Sequence, residues 1–172
     1  LEDAFRSFSE KFPDAYLLIL IRDGRSVVES STRSFGRNPD QVAEWWAWAA
    51  NRVLDFDNAL HASGCKYRMI RYEDLVRDPA REVAGILRFL DLDADAYDFS
   101  RIKALPIFGS STTRDESGDW NWKISPDTGS LDSIQRWRGW SRAQHERFNW
   151  IAGDQLEKLG YEAQRLPDRR GL

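Results

Sequence analysis

Apolar and polar positions follow two different periods along this chain. At residues 17–21, Leu17, Leu18, Ile19, Leu20 and Ile21 form an unbroken apolar run. It is too short for a buried helix and stops at a charged turn, which predicts a β-strand buried on both faces. Residues 66–72 repeat the signature more weakly around Tyr67, Met69 and Ile70. Elsewhere the period lengthens to that of a helix. Val42, Trp45, Trp46, Ala49, Val53, Phe56 and Leu60 share one face for about five turns. Val83, Ile86, Leu87 and Leu90 predict the buried face of a second amphipathic helix, and Phe148, Ile151, Ala152, Leu156 and Leu159 that of a third. Leu1, Phe5, Phe8 and Phe12 mark a short N-terminal helix stopped by Pro13.

The punctuation between these segments fixes their ends. Ser26 and Glu29 have the spacing of a capping box, so a helix is predicted to start after the turn Arg22-Asp23-Gly24-Arg25. Gly36, Asn38 and Pro39 mark a loop, with Asp40 as the next cap and Gly64 as that helix's end. Asp78-Pro79 reads as a helix start with proline in the first position. Ser141 and Gln144 form a second capping box, and Gly160 closes the last helix. Two strands, each followed by a helix, predict an α/β fold with a parallel sheet and crossover helices. The chain reads as one domain over 1–172 with a frayed tail at 162–172. Between Asp91 and Ser141 regularity is lost, and a loop this long is usually functional or disordered.

Composition narrows the class. A chain of 172 residues with 41% hydrophobic and 31% charged residues can bury a sizeable core. The net charge of -3 offers no bulk field for nucleic acid, so any anion site must be local. Cys65 is the single cysteine, which rules out an internal disulfide and leans towards a reducing compartment, here expected to be the cytoplasm. No signal peptide and no apolar run near the length of a membrane span is visible. The chain begins at Leu1, which suggests a fragment, a processed product or a trimmed chain.

Candidate chemistry centres on residues 17–30. A strand feeding a turn and a helix N-terminus presents backbone N–H groups to an anion. Arg22 at the strand's carboxyl end and Ser30 in the helix could face the crevice where open α/β sheets bind ligands. A phosphate dianion favours a bidentate guanidinium, a hydroxyl and helix N–H groups, which these residues supply. The alternatives remain open. Arg22 could pair with Asp23 or Glu29, Ser30 could bond back to its own helix, and Tyr72 could be an amphipathic boundary residue. Eight tryptophans are present. Trp45 and Trp46 are assigned to the core, Trp137 and Trp140 to anchoring the adjacent arginines. Trp120 and Trp122 serve either an acceptor pocket or loop packing.

The segment Arg22-Asp23-Gly24-Arg25-Ser26-Val27-Val28-Glu29-Ser30 resembles the motif by which sulfotransferases hold the 3′-phosphate of 3′-phosphoadenosine 5′-phosphosulfate (PAPS). Arg22 and Ser30 match its two ligands, while Gly24 stands where proline is common. Arg71-Tyr72-Glu73-Asp74-Leu75-Val76-Arg77-Asp78-Pro79 resembles the second signature, whose tyrosine approaches adenine. Ser110 and Ser111 fall where the family has a small polar turn beside the nucleotide. Arg136-Trp137-Arg138-Gly139-Trp140 resembles the basic segment that folds over the 3′-phosphate. The resemblance runs from Phe12 to Tyr161 and implies a P-loop nucleotide-hydrolase-like sulfotransferase fold, incomplete at its N-terminus. It implies sulfuryl transfer from PAPS to a hydroxyl or amine of a small molecule or glycan, without a metal. The family's 5′-phosphosulfate loop and catalytic base lie upstream of its arginine strand, so the resemblance names no catalytic residue here.

Two other readings compete: a nucleotide-binding or interaction module of the same fold without transfer, and a P-loop kinase relative. The second lacks a recognisable Mg²⁺-binding arrangement. His61, His145 and Cys65 show no zinc spacing, and there is neither a nucleophile elbow nor a dinucleotide glycine fingerprint. Nothing in the sequence assigns an oligomeric state.

Overall fold

The computed structural model describes residues 7, 10–60, 65–104, 112–114, 120–122 and 132–163. Two compact units interleave along the chain. One takes residues 1–15, 23–65 and 136–172; the other takes 16–22 and 66–135. Of the predicted N-terminal helix, Ser7, Glu10 and Lys11 are helical; Phe12 falls past the helical residues and is 55% exposed, and the other residues lie outside the described ones, as does Gly64.

The second unit is built on a parallel strand pair. Strand β1, Tyr16–Ile21, pairs with β2, Lys66–Arg71, in the register Tyr16↔Lys66 through Ile21↔Arg71. Both predicted strands form, and β2 ends one residue early because Tyr72 already belongs to the next helix. Burial on both faces does not hold for β1. Ile19 is buried, but Leu18 and Leu20 are 40% and 57% exposed. Helices α3, Tyr72–Arg77, and α4, Pro79–Phe89, follow β2. Arg68 Nη1 donates to the Gly85 carbonyl at 2.6 Å, and Phe89 packs edge-on against Tyr16 at 5.4 Å. Helix α4 thus meets β2 and the start of β1, leaving Leu18 and Leu20 beyond its reach.

The Asp78-Pro79 start is confirmed: Asp78 accepts from the Arg81 N–H at 3.2 Å and proline occupies the first turn. The predicted buried face of α4 is half-buried instead, because its contacts run to α3 and to the 3₁₀ turn Phe99–Ala104. Within the stretch expected to be irregular, β3, Thr112–Arg114, and β4, Trp120–Trp122, pair antiparallel, with Arg114 opposite Trp120. The short helix α5, Asp132–Gln135, completes this unit.

The first unit is helical. It packs α1, Gly24–Phe35, and α2, Pro39–Leu60, with α6, Arg142–Lys158. Helix α2 offers a stripe of small residues, Ala43, Ala47 and Ala50, each at most 8% exposed. Such a stripe lets a neighbouring backbone approach closely, and α6 answers with Phe148, Ala152 and Leu156, the last two fully buried. The predicted face holds at Val42, Val53 and Phe56, all buried, and departs in its middle, where Ala43, Ala47 and Ala50 are buried in place of Trp45, Trp46 and Ala49. Trp46 is half-buried against Phe148, whereas Trp45, expected in the core, is 57% exposed. Two adjacent residues on a helix stand about 100° apart, so one stripe cannot bury both indoles.

The helix caps follow local chemistry, with two corrections. Asn38, not Asp40, caps α2: its Oδ1 accepts from the N–H groups of Asp40 and Gln41 at 2.9 and 3.2 Å. Asp23, not Ser26, caps α1, whose first residue is Gly24. The Ser141–Gln144 capping box is present as predicted, and Gly160 closes α6 at a φ of 77°. Gly36 ends α1 in the left-handed region, with its N–H donating to the Thr32 carbonyl at 2.9 Å.

Candidate functional site

The parallel register brings two of the sequence candidates together. Ile21 faces Arg71, so the next residues, Arg22 and Tyr72, leave the carboxyl ends of both strands side by side. The Arg22 guanidinium lies 4.6 Å from the centre of the Tyr72 ring, and both residues are half-buried. Stacking on an aromatic face fixes the plane and position of a guanidinium. The carboxyl ends of the strands are where open parallel sheets carry ligands.

Ser30 and the basic segment belong to the other unit, where α1 organises them. The helix N-terminus is more self-contained than the sequence implied. Asp23 Oδ1 accepts from the Arg25 backbone N–H and from Arg25 Nε at 2.9 and 3.0 Å, and Oδ2 meets Arg25 Nη2 at 2.7 Å. Arg25, 3% exposed, lies flat on the Trp137 indole with 3.5 Å between guanidinium carbon and ring centre. Gly24 has a steric reason: a Cβ there would come within 2.5 Å of the Trp46 ring. The indole fills the space that a proline would need. Because α1 starts at Gly24, Ser30 sits in the second turn, half-buried, and Ser26 is a 2% exposed residue of the first.

Glu29, read from the sequence as half of a capping box, accepts instead from Trp140 Nε1 at 2.8 Å. Trp137 and Trp140 thereby fasten the 3₁₀ turn Arg136–Gly139 to α1, as expected of anchors, and leave Arg136 and Arg138 exposed. The two arginines project from a held backbone.

Sequence reasoning missed His145. It is 2% exposed, packed between Trp137 and Trp140 at ring distances of 6.0 and 5.5 Å, and its Nδ1 has no hydrogen-bond partner. Burial, reinforced by the Arg25 charge, pushes its pKa below 6.5. The folded state therefore favours neutral imidazole. Its contribution to stability is complete above pH 6.5 and is lost as pH falls from there towards the lowered folded value. Urea midpoints at pH 5 and 7.5 should show this, and His145→Gln should reduce the difference; an unchanged difference would remove His145 as its source. The sequence signal was the placement of His145 five positions after Trp140 and one turn into a capped helix, which alone is weak.

Ser110 and Ser111 lie outside the described residues. For Trp120 and Trp122 only the strand pairing is described. Among the described residues no three His, Cys, Asp or Glu side chains gather as metal ligands, and no helix is long and apolar enough to cross a membrane.

The small parallel sheet and its helices make this an α/β protein, and its likeness to solved sulfotransferase domains gives it the sulfotransferase fold. The profile of the sulfotransferase family matches residues 4–96, and the chain belongs to that family. Two solved structures are similar. The sulfotransferase domain from the curacin biosynthetic pathway superposes with a TM-score of 0.61 at 21% identity, over 97% of this chain and 60% of that one. The sulfotransferase domain from the Synechococcus PCC 7002 olefin synthase gives 0.55 at 25% identity, over 87% and 50%. The chain thus spans about half to three-fifths of these domains. No curated protein matches it.

Proposed function

We propose that the chain supplies the 3′-phosphate and adenine part of the cofactor site of a PAPS-dependent sulfotransferase, which moves a sulfuryl group to a hydroxyl or amine acceptor. The observation that carries this reading is the Arg22 guanidinium stacked on Tyr72 at the carboxyl ends of two parallel strands. An aromatic face and a guanidinium fit a nucleoside that carries a phosphomonoester, so the residues present suit the group. When bound, PAPS supplies the activated sulfuryl group and a phosphate leaving group.

This chain's own residues bind and orient. Arg22 and Ser30, eight positions apart as in the family motif, are the proposed 3′-phosphate ligands. Tyr72 is assigned to adenine, and Ser110 and Ser111 to the nucleotide's edge. Arg136 and Arg138 add charge from the turn that Trp137 and Trp140 hold. Rigid placement of the donor is itself catalytic, since alignment of the reacting atoms removes much of the entropic cost of transfer.

Calorimetry with 3′-phosphoadenosine 5′-phosphate and with adenosine 5′-monophosphate tests the reading. A charge-assisted phosphate contact predicts a preference of about 10-fold or more for the 3′-phosphorylated nucleotide. Equal affinity for the two would overturn it. Turnover of PAPS by the protein against alcohols, phenols, glycans and amines would then identify the acceptor.

A further inference from the structure

The first unit holds a cavity of about 250 Å³ that none of the proposed nucleotide ligands lines. It opens where α1, α2 and the start of α6 converge. Its body is apolar and aromatic, with Val28, Ala43, Phe148, Ile151 and the indole of Trp140. A dry cavity of about 150 Å³ is already enough for benzene, so a ring with a short side chain fits this one.

The polar groups in the wall differ sharply in how far they are satisfied. Asp40 is neutralised by Arg147, whose Nη2 and Nε approach it at 3.0 and 3.1 Å. Glu29 is not neutralised: half-buried, it accepts from Trp140 Nε1, and among the described residues no cation meets it. Thr32 Oγ1 is buried without a hydrogen-bond partner. The wall therefore presents a carboxylate lacking a counter-ion among the described residues and the faces of Trp140 and Phe148, whose ring centres lie 5.8 Å apart; the Thr32 oxygen is sealed from the cavity.

The carboxylate and the aromatic faces favour the same visitor. A half-buried carboxylate gains most from a cation that can also donate hydrogen bonds. The aromatic faces attract the same positive charge and cover an apolar body. An anionic ligand would meet the charge of Glu29, and a neutral one would leave it uncompensated. We propose that this cavity is a binding site for a small organic amine in its ammonium form, with Glu29 as its counter-ion and Trp140 and Phe148 around its apolar part.

The test titrates the full chain at pH 7 with 2-phenylethylammonium, 2-phenylethanol and phenylacetate, following the Trp140 indole N–H by NMR. The ammonium compound should bind at least ~10-fold more tightly than the alcohol, with the Trp140 signal shifting and phenylacetate giving no response. Glu29→Gln keeps an acceptor for the indole and should abolish that preference. Ala143→Phe, at an exposed lining position on the first turn of α6, should close the cavity to all three without touching the core. The proposal fails if the ammonium compound does not bind at concentrations up to roughly 10 mM. It fails equally if the alcohol binds as well as the amine, if the preference survives Glu29→Gln, or if binding survives Ala143→Phe. Binding of phenylacetate alone would assign the cavity to Arg147 and refute it. No nucleotide takes part, so the outcome is separable from the reading of sulfuryl transfer.

Discussion

Replacing Asp23 by alanine should destabilise the protein by about 3–5 kcal/mol, the range for removing one partner of a buried ion pair. Asp23 and Arg25 are 4% and 3% exposed, and three hydrogen bonds join them. Without the carboxylate the guanidinium remains buried against Trp137 with its charge uncompensated. The Arg25 N–H in the first turn of α1 loses its acceptor as well, and loss of a cap costs about 1 kcal/mol by itself. Urea unfolding followed by tryptophan fluorescence at pH 7 gives the number. Asp23→Asn keeps a good cap but removes the charge, so it should fall between wild type and Asp23→Ala. Combining it with Arg25→Met should recover much of the loss, since an apolar residue in that place needs no counter-ion. A loss below about 1 kcal/mol in Asp23→Ala would show that the pair does not hold this end of α1.

The second large effect belongs to the proposed nucleotide site. Arg22→Ala should weaken binding of 3′-phosphoadenosine 5′-phosphate by about 2–5 kcal/mol, or roughly 30- to several-thousand-fold. Arg22→Lys separates charge from shape. Lysine keeps the positive charge, yet it cannot stack flat on Tyr72 or offer a bidentate fork. Its affinity should lie well below wild type and above the alanine variant. Unchanged calorimetric affinity in Arg22→Ala, with the fold intact, would remove Arg22 from the site.

How legible these features were depended on how local their causes are. The strands, the Asp78-Pro79 start and the Ser141–Gln144 box are decided within a few residues, and the sequence shows them. Arg22 and Tyr72 could be read as strand-end residues, and their meeting follows from a register that only the paired strands define. Ser26 and Glu29 show the opposite case. They have the right spacing for a capping box, but Asp23 begins the helix earlier and Glu29 is taken by Trp140, 111 positions away. A local pattern was outbid by a distant partner. The stack of Arg25 on Trp137 and the enclosure of His145 are tertiary in the same sense. Trp45 and Leu20 were misjudged because hydrophobicity gives the wish to be buried, not the presence of a neighbour to bury against.

The pairing of β1 with β2 also sets an order of events. Tyr16 and Lys66 are 50 positions apart, and α1 and α2 lie wholly between them. Closing such a loop costs about 3.5 kcal/mol plus a constant before any ladder bond forms. The helices α1 and α2 are consecutive and meet across a short turn, so they can associate while the strands are still apart. During that interval β1 carries an unpaired edge and the bare side chains of Leu18 and Leu20, a surface open to pairing with another chain.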